Sequence, residues 1–354
     1  MNECSTSSTS STALASLGVI PIVLVLIIII LIRRERFKSK SLFLDSKVQH
    51  VVITGGSSGI GLCIAKECCR LTKKDGSPMF SHVSLIARNM SKLQVAKEEV
   101  EKTSSNNKVV VTIVSADVSN YEELSETLKT TILTSNIPTP TLLFNVAGTS
   151  IPCRFLESDP SIYSELMSIN YLGSVYTTRA VAPLMVENGG GTIVLTSSVA
   201  GQVGTYGYTA YSPTKFALRG FAEALMMELA PFNVHVQLSF PPNTDTPGFE
   251  KENILKMEEC RLIEDEAGLF QPEEIAQKMV KEALSNNTRY LVWFGLEGWM
   301  MSTLTCGMSG VHNFVDALCQ ILLLSLFRFV SLFYLKKFRS LVESCHSKRT
   351  NQKG

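Results

Sequence analysis

Three features that would point to common classes of protein are missing from this sequence of 354 residues. None of its nine cysteines stands in a C-x-x-C spacing, and the odd number argues against a disulfide framework or a zinc site. The 33 lysines and arginines are balanced by 32 aspartates and glutamates, so a formal net charge of +1 offers no basic field for nucleic acid. The sequence shows no internal repeat. We therefore expect reduced thiols, no metal site and no nucleic-acid partner.

Apolar residues, in contrast, are plentiful, at 45% of the chain, which is enough for one large domain and for membrane segments as well. Residues 13–32 carry no charge and are long enough to cross the hydrocarbon core of a bilayer. A cleaved signal peptide would begin with basic residues, but residues 1–12 contain Glu3 and no lysine or arginine. Arg33 and Arg34 follow the apolar segment. This charge bias predicts an uncleaved anchor with the next domain facing the cytosol.

The C-terminal part of the chain is apolar again but less regular. Glu297 interrupts the first apolar stretch, Asp316 and Arg328 interrupt the second, and the tail is basic. Two weak spans, a re-entrant hairpin, amphipathic helices in the membrane interface, or ordinary core helices all fit this pattern. The expected organisation is an N-terminal segment 1–12, an anchor 13–32, a basic linker 33–47, an α/β domain 48–285, a membrane-associated region 286–335 and a basic tail 336–354.

A glycine-rich turn stands between a predicted strand at residues 48–54 and a predicted helix at residues 62–70. Glycines in such a turn let the backbone approach a pyrophosphate, and the N-terminus of the helix supplies N–H groups and a positive dipole. The strand–turn–helix context predicts a dinucleotide site. Its candidate residues are Gly55, Ser57, Ser58, Gly59, Ile60 and Gly61.

Arg88 follows the second predicted strand, residues 83–87. Dinucleotide folds that use NAD carry an acidic residue near this point, whereas an arginine accommodates the 2′-phosphate of NADP. Lys92 lies one helical turn further and could assist. The pattern predicts NADPH as the cofactor. Asp117 and Val118 end the third strand, where the carboxylate would accept a hydrogen bond from the adenine amino group or cap the next helix.

Further apolar runs at residues 109–115, 141–144, 193–196 and 234–240 alternate with helical segments. Polar residues follow these runs, at the carboxyl ends of the predicted strands. This alternation is typical of a doubly wound parallel sheet of the Rossmann type, in which ligands bind beside the carboxyl ends at the topological switch. We therefore expect an α/β fold with a single catalytic domain.

Tyr211 and Lys215 are four residues apart, which places their side chains on one face of a helix. A free phenol has a pKa of about 10 and is a poor acid or base at neutral pH. A neighbouring ammonium group stabilises the phenolate and lowers that pKa toward the working range. The same spacing also occurs by chance on amphipathic helices, so the pair predicts catalysis only together with other motifs.

Six motifs in this order resemble the short-chain dehydrogenase/reductase family over residues 48–282: the Gly55–Gly59–Gly61 turn, the Asn145–Ala147–Gly148 turn, Asn170, Ser198, Tyr211 and Lys215. The resemblance implies that Tyr211 donates a proton to a carbonyl oxygen that Ser198 hydrogen-bonds. It implies that Lys215 lowers the pKa of Tyr211 and holds the nicotinamide ribose.

The same resemblance implies three further roles. Asn170 would position Lys215 through a water molecule, while Asn145 and Thr246 would help to hold the nicotinamide.

Residues 168–174, 209–220 and 241–249 are similar to a membrane-bound branch of this family that reduces a long-chain amino ketone. That similarity implies a lipid substrate and an endoplasmic reticulum membrane location with the catalytic domain facing the cytosol, and it leaves room for a homo-oligomer. One alternative is a relative that acts on steroid or retinoid carbonyls. Another is a cofactor-binding protein without catalysis, which would be expected to lack Ser198, Tyr211 or Lys215.

Overall fold

A computed structural model describes residues 50–352, apart from 74, 105–108, 134–136, 265–267 and 286–288. The predicted anchor at residues 13–32, with the segments on either side of it up to residue 47, lies outside the described residues. The predicted α/β domain is described almost completely, and so are the C-terminal apolar segments.

The domain is built on one sheet of seven parallel strands in the order β3-β2-β1-β4-β5-β6-β7. Every residue of the central strands β1, β4 and β5 is buried, as expected for a parallel sheet covered on both faces. The strands are β1 (His50–Thr54), β2 (His82–Ala87), β3 (Val110–Ser115), β4 (Leu142–Asn145), β5 (Gly191–Thr196), β6 (Val234–Phe240) and β7 (Leu291–Trp293).

Helices cover both faces of the sheet and form two hydrophobic cores. The described α-helices are α1 (Gly59–Arg70), α2 (Met90–Thr103), α3 (Tyr121–Leu128), α4 (Ser161–Leu166), α5 (Gly173–Glu187), α6 (Tyr211–Leu229), α7 (Pro247–Leu255), α8 (Glu258–Glu264), α9 (Pro272–Ala283), α10 (Gly295–Leu304) and α11 (Phe314–Asn351). One core holds the apolar residues of α1, α2 and α9, and the other holds those of α3, α5 and α6. The fold is therefore the predicted doubly wound α/β sheet.

The strand order reverses at β1, which pairs with β2 on one side and with β4 on the other. This topological switch opens a crevice at the carboxyl ends of β1 and β4. The Thr54 hydroxyl joins the two ends by accepting hydrogen bonds from the backbone N–H groups of Val146 and Ala147, at 3.0 and 3.1 Å. The switch thus lies where the glycine turn and the Asn145 turn meet.

The structure differs from the sequence prediction at the start of the predicted membrane-associated region. Leu291–Trp293 forms β7, which pairs with the end of β6 in the register Leu238↔Leu291. Leu291 and Val292 are buried against the domain core, so their apolar character reflects packing and not lipid contact. A three-residue strand is too short to be separated from an apolar membrane segment by periodicity alone.

Candidate active site

The backbone of the glycine turn has φ angles that residues other than glycine rarely adopt. Gly55 and Gly59 have positive φ values of +68° and +53°. A Cβ atom on Gly61 would lie 2.4 Å from the Gly55 carbonyl oxygen, so the start of α1 approaches β1 more closely than a side chain would allow. Within the described chain, the Ser58 side chain does not cap α1. The first N–H groups of α1 therefore face the crevice without a side-chain partner and suit an anion.

The residues around this crevice leave a turn and a polar group open to a ligand. The turn is open at its tip, where Ser58 is exposed and Ser57 is partly exposed, while Ile60 packs against the core beneath it. The Thr246 methyl group closes the far side, because a Cβ atom on Gly59 would lie 3.0 Å from it. Across the switch, the buried Asn145 Oδ1 has no hydrogen-bond partner among the described residues. A buried acceptor of this kind needs a donor, which a bound ligand can supply.

Arg88 lies beyond the end of β2 beside the glycine turn, where the Gly55 and Gly56 N–H groups bond the Ile86 carbonyl oxygen. Its side chain is 68% exposed, and Arg88 Nη1 lies 3.7 Å from the Asp117 carboxylate. Lys92 is exposed in the first turn of α2, one turn from Arg88. Both cations are thus exposed between the end of β2 and the first turn of α2.

The Asp117 carboxylate is hydrogen-bonded within the turn that follows β3. One oxygen accepts hydrogen bonds from the Ser119 N–H group and hydroxyl, at 2.9 and 2.7 Å. Burial opposes ionisation of Asp117, but the Ser119 hydrogen bonds and the charge of Arg88 outweigh it and lower the pKa. Asn120 caps α3, so the helix-capping alternative for Asp117 is wrong. Val118 is buried against Gly173 at the start of α5.

Tyr211 is the first residue of α6, so Pro213 falls in the first helical turn, where its missing N–H costs no hydrogen bond. The Ser198 hydroxyl lies close enough to the Tyr211 hydroxyl to favour its ionised form and so to lower its pKa. Ser198 follows β5 and begins a short 3₁₀ turn, which its side chain caps by accepting from the Ala200 N–H group at 3.2 Å. The end of β5 and the start of α6 therefore bring the two predicted hydroxyls together.

Lys215 lies one turn further along α6, and its Nζ atom is 5.6 Å from the centroid of the Tyr211 ring. The ammonium group is buried and donates to the Thr196 carbonyl oxygen at 2.9 Å. Burial lowers the pKa of Lys215 to about 8. In this structure burial and the nearby Glu252 carboxylate raise the pKa of Tyr211, while the Ser198 hydrogen bond opposes the rise. The lowering of the Tyr211 pKa expected from Lys215 is therefore not what this structure shows.

Asn170 is fully buried in a π-helical turn, Met167–Leu172, between α4 and α5. Its side-chain amide donates to the Thr149 carbonyl oxygen at 2.9 Å and to the Thr214 hydroxyl at 3.1 Å, and it accepts from the Thr149 N–H group at 2.8 Å. A Cβ atom on Gly148 would lie 3.1 Å from Asn170 Oδ1 and 3.5 Å from Lys215 Nζ. The observed hydrogen bonds therefore tie the Asn145 turn to α6 beside Lys215.

The short chain dehydrogenase family profile matches residues 49–255, which contain all of these groups. The chain belongs to the short-chain dehydrogenase family.

Two relatives are similar over almost the whole chain. A 3-dehydrosphinganine reductase from Danio rerio is 46% identical over 85% of this chain and 87% of its own length. A 3-ketodihydrosphingosine reductase from Bos taurus is 47% identical over 84% of this chain and 86% of its own length. Family membership, and with it a nicotinamide cofactor, therefore agrees with the geometry of the crevice.

Solved structures of other short-chain dehydrogenases share the fold. A 3-oxoacyl-[acyl-carrier protein] reductase from Brucella melitensis with bound NAD has a TM-score of 0.56 and 26% identity over 72% of this chain and 92% of its own. A short-chain dehydrogenase from Sphingobium yanoikuyae in complex with NADPH has a TM-score of 0.57 and 23% identity over 69% of this chain and 87% of its own. The fold is therefore that of nicotinamide-dependent reductases.

Several polar residues that hold this short-chain dehydrogenase site together were missed by the sequence analysis. Thr54 joins the strand ends at the switch, Thr178 accepts from the Asn145 amide at 3.1 Å, and the Ser197 hydroxyl donates to the Lys215 carbonyl oxygen at 2.9 Å. Serines and threonines are common and mostly exposed, so their positions in the sequence carry no signal of such contacts. Only the positions of Thr54 and Ser197, at the ends of predicted strands, could have indicated their roles.

The lowered pKa of Lys215 predicts a pH-dependent stability. Between pH 8 and 10.5 the unfolded chain binds more protons than the folded chain, so the free energy of unfolding gains a contribution that rises with pH. Below pH 8 both forms are protonated, and the burial penalty is fully present. Compared with a Lys215→Met variant, we expect the wild-type chain to gain thermal stability across this window, measured by unfolding in detergent. The exposed variant Lys251→Met is the control, and a flat difference between wild type and Lys215→Met would contradict the prediction.

Proposed function

We propose that this protein reduces the ketone of 3-dehydrosphinganine to the alcohol of sphinganine with NADPH. The observation that carries the proposal is that the Ser198–Tyr211–Lys215 arrangement stands in a chain 46% identical, over 85% of its length, to a reductase named for this ketone. The geometry supports proton transfer to a carbonyl oxygen at the mouth of the cofactor crevice. A reductase with these groups needs no metal ligand to polarise the ketone.

Each member of the arrangement has one chemical task. NADPH, when bound, supplies the hydride that the ketone carbon accepts. Tyr211 donates its proton to the ketone oxygen, and its raised pKa keeps the phenol protonated at neutral pH. Ser198 donates a hydrogen bond to the same oxygen and stabilises the charge that develops there. The Lys215 ammonium stabilises the phenolate that remains after the transfer.

The residues around the crevice would hold the cofactor. The N–H groups at the start of α1 would bind the pyrophosphate, with Gly55, Gly59 and Gly61 allowing its approach. Asn145 and Thr246 lie on the two sides of the crevice and would hold the nicotinamide end. Asn170 acts through other groups, because it fixes Thr149 and Thr214 on either side of Lys215.

Arg88 and Lys92 support NADPH over NADH, because a guanidinium at the rim of the crevice matches the 2′-phosphate. We expect Arg88→Ser to raise the Kd for NADPH about 10- to 100-fold, since a charge-assisted hydrogen bond contributes about 1.5–3 kcal/mol. NADH binding should change little. Arg70→Ser, at the other end of α1, removes the same charge as a control. The measurement is fluorescence titration of both cofactors, and an unchanged NADPH affinity would refute the assignment.

The surroundings of Tyr211 also suit the amino group that this ketone carries on the neighbouring carbon. The Tyr208 ring lies 6.0 Å from the Tyr211 ring, and its hydroxyl contacts the Glu252 and Glu264 carboxylates at 2.7 and 2.6 Å. Lys256 pairs with both carboxylates, at 3.3 and 2.6 Å. Two carboxylates and one ammonium give this cluster around Tyr208 a net negative charge. This charge favours a substrate with a protonated amine.

A Glu252→Gln variant tests the role of that charge. We expect its KM for 3-dehydrosphinganine to rise about tenfold, because a hydrogen bond to a charged group contributes about 1.5–3 kcal/mol. The KM for the corresponding ketone without the amino group should stay unchanged. Glu250→Gln, exposed on the same helix, is the matched control. Equal effects on both ketones would show that Glu252 does not recognise the amine.

We also propose the endoplasmic reticulum membrane as the location, with the catalytic domain facing the cytosol. The long acyl chain of the substrate partitions into bilayers, since each buried methylene is favoured by about 0.8 kcal/mol. Among the described residues, α11 is the one helix that is long and apolar enough to be a candidate span. The basic residues that follow the apolar segment 13–32 support the cytosolic orientation.

The decisive test of the reaction is NADPH oxidation by membranes that contain this chain, with and without 3-dehydrosphinganine. We expect substrate-dependent oxidation that falls at least about 100-fold in Tyr211→Phe, because positioned proton transfer contributes about 10²–10⁴-fold. NADPH binding by that variant should remain, as fluorescence titration will show. Tyr121→Phe, outside the site, should keep its activity. Turnover of steroid or retinoid carbonyls in place of this ketone would assign the enzyme to another lipid.

A further inference from the structure

Helix α11 is a candidate membrane span by length and composition alone, but its contacts argue for another arrangement. It contains 38 residues, which extend about 57 Å at about 1.5 Å per residue. A helix that crosses a bilayer has its two ends on opposite sides of a hydrocarbon core about 30 Å thick. Whether α11 spans therefore depends on what each of its ends touches.

Both ends of α11 contact the same catalytic domain. Near the N-terminal end, the Asp316 carboxylate pairs with Arg289 at 3.0 Å. Near the C-terminal end, Arg349 pairs with Glu259 of α8. These two residues of α11 are 33 positions apart, or about 50 Å along the helix. A single domain on one side of a bilayer cannot reach both ends of a spanning helix.

The contact at the C-terminal end of α11 involves a buried carboxylate of the domain. The Glu259 side chain is fully buried, and Arg154 also pairs with it, at 3.3 Å. Arg349 and Arg154 thus share one buried carboxylate, which links α11, α8 and the loop after β4. Removing either arginine would leave the buried carboxylate less well compensated, so this contact resists separation.

The middle of α11 also packs on the domain. The Phe327 ring contacts the Trp299 ring of α10 edge to face, with 5.5 Å between their centroids. At about 100° per residue, Gln320, Phe327, Cys345 and Arg349 fall on one side of the helix. Phe327 and Cys345 are buried and the other two are partly buried. This side of α11 therefore faces the domain around Phe327 and again around Cys345 and Arg349.

The opposite side of α11 is apolar and open to the surroundings. Leu322, Leu326, Phe329 and Phe333 fall within about 60° of one another on this side. Their side chains are between 53% and 62% exposed. Isolated exposed apolar residues are ordinary, but an apolar strip of this length marks an interaction surface.

The charges that follow the strip fit a lipid headgroup layer. Lys336, Lys337 and Arg339 come directly after it, and all three are exposed. Basic side chains at the end of an apolar helical face bind anionic headgroups while the apolar side chains enter the acyl boundary.

We propose that α11 lies in the plane of the membrane surface, packed by one side on the catalytic domain and inserted by the other into the lipid. The occupant of the apolar strip is the bilayer itself. The arrangement holds α8 at the membrane, and α8 follows α7, which carries Glu252 beside Tyr211. The inference rests on the proposed membrane location but not on the reaction.

Depth measurements on the full-length chain in vesicles with anionic phospholipid test the proposal. Cys4, Cys153 and Cys319 are first replaced by serine, and nitroxide labels are placed singly at Leu322, Leu326, Phe329 and Phe333. Oxygen and a polar nickel complex report the depth of each label. An in-plane helix predicts similar depths at all four positions. A label at Gln320, on the side that faces the domain, should be shallower.

Two outcomes would overturn the proposal. A steady change of depth by about 16 Å from Leu322 to Phe333 would show that the helix spans, because these residues are 11 positions apart. Free access of the polar quencher at all four positions would show that the strip does not enter lipid. NADPH oxidation on the same vesicles reports the proposed reaction separately, so failure of one proposal is distinguishable from failure of the other.

Discussion

The burial of the Lys215 ammonium group is the constraint on which the rest of the site depends. A buried ammonium group is costly unless it finds a partner, and here Nζ donates to the carbonyl oxygen of Thr196 at the end of β5. That hydrogen bond fixes the first turns of α6 against the sheet. It therefore also fixes Tyr211 one turn earlier, beside Ser198. The low polarity that lowers the Lys215 pKa is also what raises that of Tyr211.

Hydrogen bonds near Lys215 also connect α6 to the ends of β1 and β4 at the topological switch. Asn170 holds both Thr214 on α6 and Thr149 after β4, and Thr54 holds the same connection from β1. A π-helical turn carries Asn170, and such turns interrupt the regular helical hydrogen bonds, often at functional sites. The cofactor crevice and the proton donor are thus parts of one hydrogen-bonded unit, not two sites placed side by side.

The sequence predicted the strands and the glycine turn closely, because buried parallel strands and positive-φ glycines leave strong local patterns. It was less successful wherever a residue acts through distant partners. Asp117 was expected to bind adenine or to cap a helix; Asn120 caps the helix, while Ser119 and Arg88 contact the Asp117 carboxylate, and adenine binding stays a prediction. The apolar Leu291–Trp293 was assigned to a membrane-associated region and is a strand. Apolar character alone does not distinguish a protein core from a lipid core.

Sequence by itself determined the family, the order of the motifs and the spacing of Tyr211 and Lys215, since these depend on residues near one another in the chain. Tertiary structure alone decided the direction in which the Tyr211 pKa shifts and the contacts that α11 makes with the domain. Burial and then Glu252 raise the Tyr211 pKa, and Arg289 and Glu259 position α11. Glu252, Arg289 and Glu259 are all distant in sequence from the groups they act on. Such contacts form only after folding has brought residues from distant parts of the chain together. No local sequence pattern therefore indicates them.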